Sequence, residues 1–183
     1  MAKAIAQRLG ILPTLEDYHD VPSIEQFYED PETFAFETEI QFTQAHFDRL
    51  VLALELRKGP NLVTDFTLKR DRLFANITLE RQPDRLLEYG RFWQNLASQL
   101  PEPDQIILLE APTNELLKRI KQRGRPFEKE IGEEYLERLV IGLREIYRDA
   151  PEGSIQRMDS TNLSELLRHV LTSLVTLMGS DPS

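Results

Sequence analysis

The sequence predicts an α/β fold in which a parallel sheet is doubly wound by helices, and three observations carry that prediction. Short apolar segments alternate with amphipathic segments of helical length, the pattern of strand and helix units. The run Ile106-Ile107-Leu108-Leu109 lacks polar alternation, as expected of a strand covered on both faces in a parallel sheet. Glycine or proline punctuates the segments, at Gly10, Gly59-Pro60 and Pro101-Glu102-Pro103.

Taken in order, Ala2–Leu9 is rich in helix formers and ends at Gly10, the residue type that closes helices. Residues 11–15 read as a short strand, followed by the acidic loop Glu16-Asp17-Tyr18-His19-Asp20, and Ser23 is placed to cap a helix through Tyr28. From Pro31 toward Lys58 a long helix follows from Phe36, Ile40, Phe47, Leu50, Val51 and Leu54 recurring near 3.6 residues. Residues 61–66 form a strand that carries Asp65 at its end, and residues 68–75 and 84–100 are helical. The strand at 105–110 leads into helices at 113–122 and 133–148, then a strand over Ile155–Asp159 and a last helix at 163–178.

Composition narrows the class. A chain of 183 residues with 40% hydrophobic and 29% charged residues can bury a core, and no composition shift marks a linker, so one domain over residues 1–183 is expected. The net charge of −9 argues against a nucleic-acid surface, which needs a basic face for counterion release. The absence of cysteine excludes disulfides and thiolate chemistry and fits the cytoplasm. Residues 163–178 contain Glu165, Arg168 and His169 and are too short and polar to span a bilayer, so no membrane association is expected. His19, His46 and His169 share no metal-ligand spacing.

One loop departs from the acidic background. Arg119, Lys121, Arg123 and Arg125 crowd the connection between two helices, a lid loop over 119–131 where a phosphate-bearing ligand would gain most. The same arginines also suit a solvated helix C-terminus, which the helix dipole favours.

Several stretches in consistent order carry a resemblance: Phe27-Tyr-Glu-Asp-Pro-Glu-Thr-Phe-Ala-Phe36, Asp65 followed by Asp71-Arg-Leu-Phe-Ala75, Pro101-Glu-Pro-Asp104, and Arg123-Gly-Arg-Pro-Phe-Glu128 with Glu134-Tyr-Leu-Glu-Arg-Leu139. The chain resembles the deoxynucleoside kinase family over nearly its whole length. That resemblance implies a P-loop-kinase-like, three-layer α/β/α fold and ATP-dependent phosphorylation of the 5′-hydroxyl of a purine deoxynucleoside. It implies Glu16 as the carboxylate that activates the hydroxyl and Asp65 as the acid near magnesium (Mg2+), which arrives with ATP. Arg119, Arg123 and Arg125 match the lid arginines that clamp phosphates, Arg123 and Arg125 also covering the ATP. Tyr28 and Glu128 match the pair that holds the sugar 3′-hydroxyl, and Glu39 and Asp71 fall where the base is read. Glu39 replaces a glutamine; a carboxylate accepts hydrogen bonds only, which suits guanine's adjacent donors. A homodimer through helices near 33–57 and 84–100 is a further implication.

Two departures follow from the same comparison. Phe66-Thr67 stands where the family's (Asp/Glu)-Arg-Ser motif has its arginine, which removes a positive charge near the phosphates. No G-x-x-x-x-G-K-[ST] occurs in the sequence, so the first strand and P-loop, on the order of fifteen residues, are expected to be absent from the chain. The missing strand would be the central one of five. Either the start is truncated relative to a working enzyme, or the neighbouring strands have closed up, or another chain supplies the strand. A non-catalytic nucleoside-binding or protein-interaction module derived from such a kinase is the alternative reading.

Overall fold

A computed structural model describes residues 1–57, 59, 61–125, 128, 131–162, 165–170 and 172. It contains helices α1 (Ala2–Leu9), α2 (Ile24–Glu29), α3 (Pro31–Leu56), α4 (Leu68–Thr78), α5 (Pro83–Ala97), α6 (Thr113–Arg123) and α7 (Glu133–Ile146). Four strands accompany them: β1 (Pro13–Thr14), β2 (Val63–Thr64), β3 (Ile106–Glu110) and β4 (Ile155–Asp159). The architecture is α/β with a helical majority and small parallel sheets. Lys58 and Pro60, at the expected stop of the long helix, four lid residues, and the expected last helix outside residues 165–170 and 172 lie beyond the described residues.

The strands form two separate parallel pairs. β1 pairs with β2, Pro13 opposite Val63 and Thr14 opposite Thr64, and β3 pairs with β4 in register from Ile106 opposite Ile155 to Glu110 opposite Asp159. Each pair is joined by a helical crossover, as parallel strands require. β2 and β3 do not pair with one another among the described residues, so the expected closing-up of these two strands is not found. Both pairs nevertheless rest on one apolar cluster, in which Ile5 of α1, Leu166 and Val170 pack with Val63, Ile107 and Met158.

Several expectations are corrected. The first two strands are two residues long rather than five or six, because Pro13 lacks an N–H and pairing ends after Thr14 and Thr64. β3 is not covered on both faces: Leu109 is 38% exposed, since the apolar cluster takes in Ile107 but stops short of it. Ser23 sits at the N-cap of α2 without capping it. Its hydroxyl is buried against α3 instead, 2.6 Å from the Thr38 hydroxyl and donating to Gln41 Oε1 at 2.8 Å.

α3 buries a face that periodicity of apolar residues does not reveal. Its fully buried residues are Ala35, Thr38, Glu39, Thr43 and His46, while Leu52 and Leu56 are exposed. Polar groups inside a helix bundle need partners, and α4 and α5 supply them. Thr78 Oγ1 donates to Glu39 at 2.9 Å, Asp71 meets His46 at 2.8 Å, and the Tyr89 hydroxyl meets Thr43 at 2.7 Å. Tyr89 therefore belongs to the chain's own core, with Ala35, Ala75 and Leu79, rather than to a dimer face. α4, α6 and α7 close a second core around Leu73, Leu136 and Leu139.

Candidate active site

The first group of predicted residues meets at the carboxyl ends of β1 and β2, where sheets of this kind bind ligands. Glu16 follows β1 by two residues and Asp65 follows β2 by one. The Glu16 backbone N–H donates to Asp65 Oδ1 at 2.8 Å, which locks the two loop starts together. Asp65 does not cap α4; Thr67 does, its side chain accepting from the Arg70 N–H at 3.2 Å.

Two residues that sequence reasoning passed over complete this group. His46 reaches from α3, its Nδ1 donating to Asp71 Oδ2 at 2.8 Å and its Nε2 lying 3.5 Å from Glu16 Oε2. Both facing carboxylates can only accept, so they favour a proton on each ring nitrogen. Burial alone would lower the histidine pKa, but its hydrogen bonds to Asp71 and Glu16 outweigh that and raise it above the ordinary value. The ring stacks on Phe66 at 4.1 Å and 14°, giving the residue at the departed arginine position a structural task. Arg70, in the first turn of α4, donates from Nη2 to Glu16 Oε2 and from Nη1 to the Asp65 carbonyl at 3.2 Å. Burial pushes the Glu16 carboxyl up, but His46 and Arg70 together bring it down to about 2. The one available signal for Arg70 was its place four residues beyond Phe66 and beside Asp71.

Glu39 forms the second group. It is 5% exposed, and burial pushes its carboxyl up to about 8, the Thr78 hydrogen bond opposing and the Asp71 carboxylate adding. At neutral pH it therefore holds a proton and presents one donor and one acceptor, as a glutamine would. The acceptor-only argument for guanine loses its basis.

The lid forms the third group. Gly124, at φ 69°, ends α6 in the left-handed conformation that glycine tolerates, and Arg123 and Arg125 on either side of it reach the same carboxylate. Arg123 donates to Glu128 from Nε at 2.9 Å and Nη2 at 2.7 Å, and Arg125 from Nη1 at 3.1 Å. Glu128 is only 6% exposed. The Arg125 guanidinium also lies 4.3 Å from the centre of the Tyr18 ring, two residues after Glu16, tying the lid to the loop after β1. Tyr28 lies in the same field: burial, then the Glu128 charge, pushes its hydroxyl up to about 12 against Arg123 and Arg125.

Arg119 stands apart. It pairs with Glu115 one turn back at 3.0 Å and donates to the Ser160 carbonyl at 2.7 Å and hydroxyl at 3.1 Å. It lies in the body of α6 rather than past Gly124, so its side chain is committed to the end of β4. Of the predicted site residues, Glu16 and Asp65 come together directly, Asp71 joins Glu16 through His46 and Arg70, Glu39 feels the Asp71 charge, Arg123, Arg125 and Glu128 join with Tyr28, and Arg119 joins neither set.

Residues 2–169 match the family description "Deoxynucleoside kinase". The chain belongs to the deoxynucleoside kinase family. It is 30% identical over 165 residues to a deoxyguanosine kinase of Bacillus subtilis, covering 87% of this chain and 79% of that one. It is also 30% identical over 152 residues to a deoxyadenosine kinase of Dictyostelium discoideum, covering 81% and 61%. Among solved structures, deoxyadenosine kinase from M. mycoides with dCMP and dCDP bound superimposes with a TM-score of 0.83 at 26% identity, covering 96% of this chain and 91% of that chain. The same enzyme with dATP gives 0.79 at 25% identity. The P-loop-kinase-like fold expected from the sequence is thereby confirmed. No helix among the described residues is long and apolar enough to cross a membrane.

Proposed function

We propose that this family member carries out phosphoryl transfer from ATP to the 5′-hydroxyl of a purine deoxynucleoside. The observation that carries this reading is the continuous arrangement Arg70–Glu16–His46–Asp71, with Glu39 beside it and the Glu128-held lid arginines tied on through Tyr18.

In this reading the base lies against Glu39 and Asp71, the sugar 3′-hydroxyl against Tyr28 and Glu128, and the 5′-hydroxyl at Glu16. The 5′ oxygen bonds to the γ-phosphorus as the bond to the β-phosphate oxygen breaks, ADP leaves, and the hydroxyl proton passes to Glu16. A carboxyl held at about 2 is a weak base while Arg70 and His46 grip it. An arriving hydroxyl competes with Arg70 for Oε2 and restores basicity, and phosphoryl transfer asks mainly for positioning and charge stabilisation. Arg123 and Arg125 exchange Glu128 for phosphate oxygens as the lid engages ATP.

Asp65 is exposed, with one oxygen occupied by the Glu16 N–H. It fits magnesium, which takes one or two carboxylates plus phosphate oxygens and waters; among the described residues no group of three acids or histidines could hold a metal alone. Bound there with ATP, the ion supplies charge neutralisation on the phosphates. The exposed Leu52, Leu56 and Leu87 on α3 and α5 support a homodimer through these helices, and the lack of cysteine supports a cytoplasmic location.

The second reading, a non-catalytic nucleoside-binding or interaction module, is favoured by Phe66, which stands where the family's motif has its arginine. Calorimetric binding of deoxyguanosine and deoxyadenosine, paired with radiolabelled phosphate transfer from ATP, separates the two. Binding with transfer supports the kinase, binding without transfer supports the module, and no binding of either nucleoside overturns both as nucleoside proteins.

A further inference from the structure

We infer that Arg70 is the phosphate-recognising residue on the acceptor side of the site, holding the 5′-phosphate of the nucleotide once it has formed. This rests on the nucleoside-kinase reading above and adds to it a residue outside the family motif.

The sequence removes an arginine at position 66 and places Phe66 there, stacked on His46. The charge is not lost, because Arg70 occupies the same neighbourhood from one turn into α4, gripping the Glu16 carboxylate and the Asp65 carbonyl. If Glu16 meets the 5′-hydroxyl, a phosphate on that oxygen puts a dianion directly beside a carboxylate, and a cation must intervene.

The candidates among the described residues are few. His46 is in contact with Glu16 but its side chain is only 3% exposed and both nitrogens face carboxylates, so a ligand cannot reach it. Arg123 and Arg125 are engaged by Glu128 and belong to the donor side. Arg70 touches Glu16 while keeping 26% of its side chain exposed, beside Glu16 at 30% and the exposed Asp65. Its Nε is enclosed without an acceptor, so the guanidinium holds its present position with a donor unsatisfied. Turning from Glu16 toward a phosphate would exchange a single contact for the two-pronged geometry that guanidinium and phosphate share.

The test compares binding of deoxyguanosine and deoxyadenosine with binding of their 5′-monophosphates by calorimetry, at two salt concentrations. Wild-type protein should bind each monophosphate more tightly than its nucleoside, and Arg70→Met should lower monophosphate affinity on the order of tenfold or more, a loss several times larger than any it causes in nucleoside affinity. Arg70→Lys, which keeps the charge, should retain part of the preference, and Phe66→Arg with Arg70→Met should restore it with the wild-type salt dependence. Equal losses for nucleoside and monophosphate would make Arg70 a purely structural residue and overturn the inference. So would an unchanged monophosphate preference in Arg70→Met. Nucleoside binding with no preference for the monophosphate overturns this inference alone, whereas no binding of either overturns the nucleoside reading beneath it as well.

Discussion

Replacing Glu39 with glutamine should remove a pH-dependent weakness built into the core. The side chain is buried, its carboxyl sits at about 8 rather than the ordinary 4.5, and the main cause is burial, with Asp71 adding repulsion against the Thr78 hydrogen bond. The folded protein therefore keeps a proton that the unfolded chain surrenders above about pH 4.5. Folding is penalised increasingly from about pH 4.5 to about 8 and by a constant amount above that. A gap of about three and a half pH units at about 1.36 kcal/mol each sets a ceiling of about 5 kcal/mol, a sizeable share of a total stability of about 5–15 kcal/mol. Urea unfolding of wild type and Glu39→Gln at pH 5, 6, 7, 8 and 9 measures it. His46 also contributes: its raised pKa gives stability that is full below about 6.5 and lost as pH rises through the folded value. That contribution is common to both proteins and cancels in their difference. The variant should gain little relative to wild type at pH 5 and several kcal/mol at pH 9, with the rise flattening above pH 8. Parallel curves across the whole range would refute a protonated Glu39.

Three further outcomes can be checked. A Cβ at Gly142 on α7 would lie 2.3 Å from Leu73 Cδ1 and 3.1 Å from Cδ2, so Gly142→Ala should cost about 1–3 kcal/mol in urea unfolding, with part of the loss recovered when Leu73→Val makes room. Glu16, held at about 2 by His46 and Arg70, contributes stability present above pH 4.5 and lost as pH falls toward 2. The difference between wild type and Glu16→Gln should therefore shrink steadily between pH 5 and 2.5, and a constant difference would argue against the pairing. Glu128→Ala frees the Arg123 and Arg125 guanidinium groups from their common carboxylate and should speed trypsin cleavage after Arg123 severalfold, as followed by mass spectrometry.

How much of this was legible depends on which residues carried the signal. Helix positions were readable wherever local chemistry dictates them: Gly10 and Gly124 terminate α1 and α6 as their residue type suggests, and Pro31 begins α3. Strand lengths were not, because a strand's extent is set by its partner; residues 11–15 and 61–66 look equally extended in sequence, yet only two residues of each find a ladder. In α3 the apolar residues announced a helix, but the face turned inward carries Thr38, Glu39, Thr43 and His46, and only the opposing Asp71, Thr78 and Tyr89 explain why. Motif matching named Glu16, Asp65, Asp71 and the Glu128-linked arginines as candidates. It missed His46 and Arg70 because their value comes from a carboxylate 30 and 54 residues away respectively. Arg119 shows the converse, a residue next to the motif whose side chain is engaged elsewhere.

The partnership of α3 and α4 has a metric consequence. Glu39 meets Thr78 and His46 meets Asp71, so two antiparallel helices are fastened at two points, each pair of attachments seven residues apart. Seven residues make almost two whole turns and span about 10.5 Å, which sets a fixed gauge between Glu39 and the His46 that touches Glu16. Inserting one residue between Glu39 and His46 would rotate one of them by about 100° away from its partner. Length variation between relatives should therefore be tolerated in the loops around this pair of rods and rejected between their rungs.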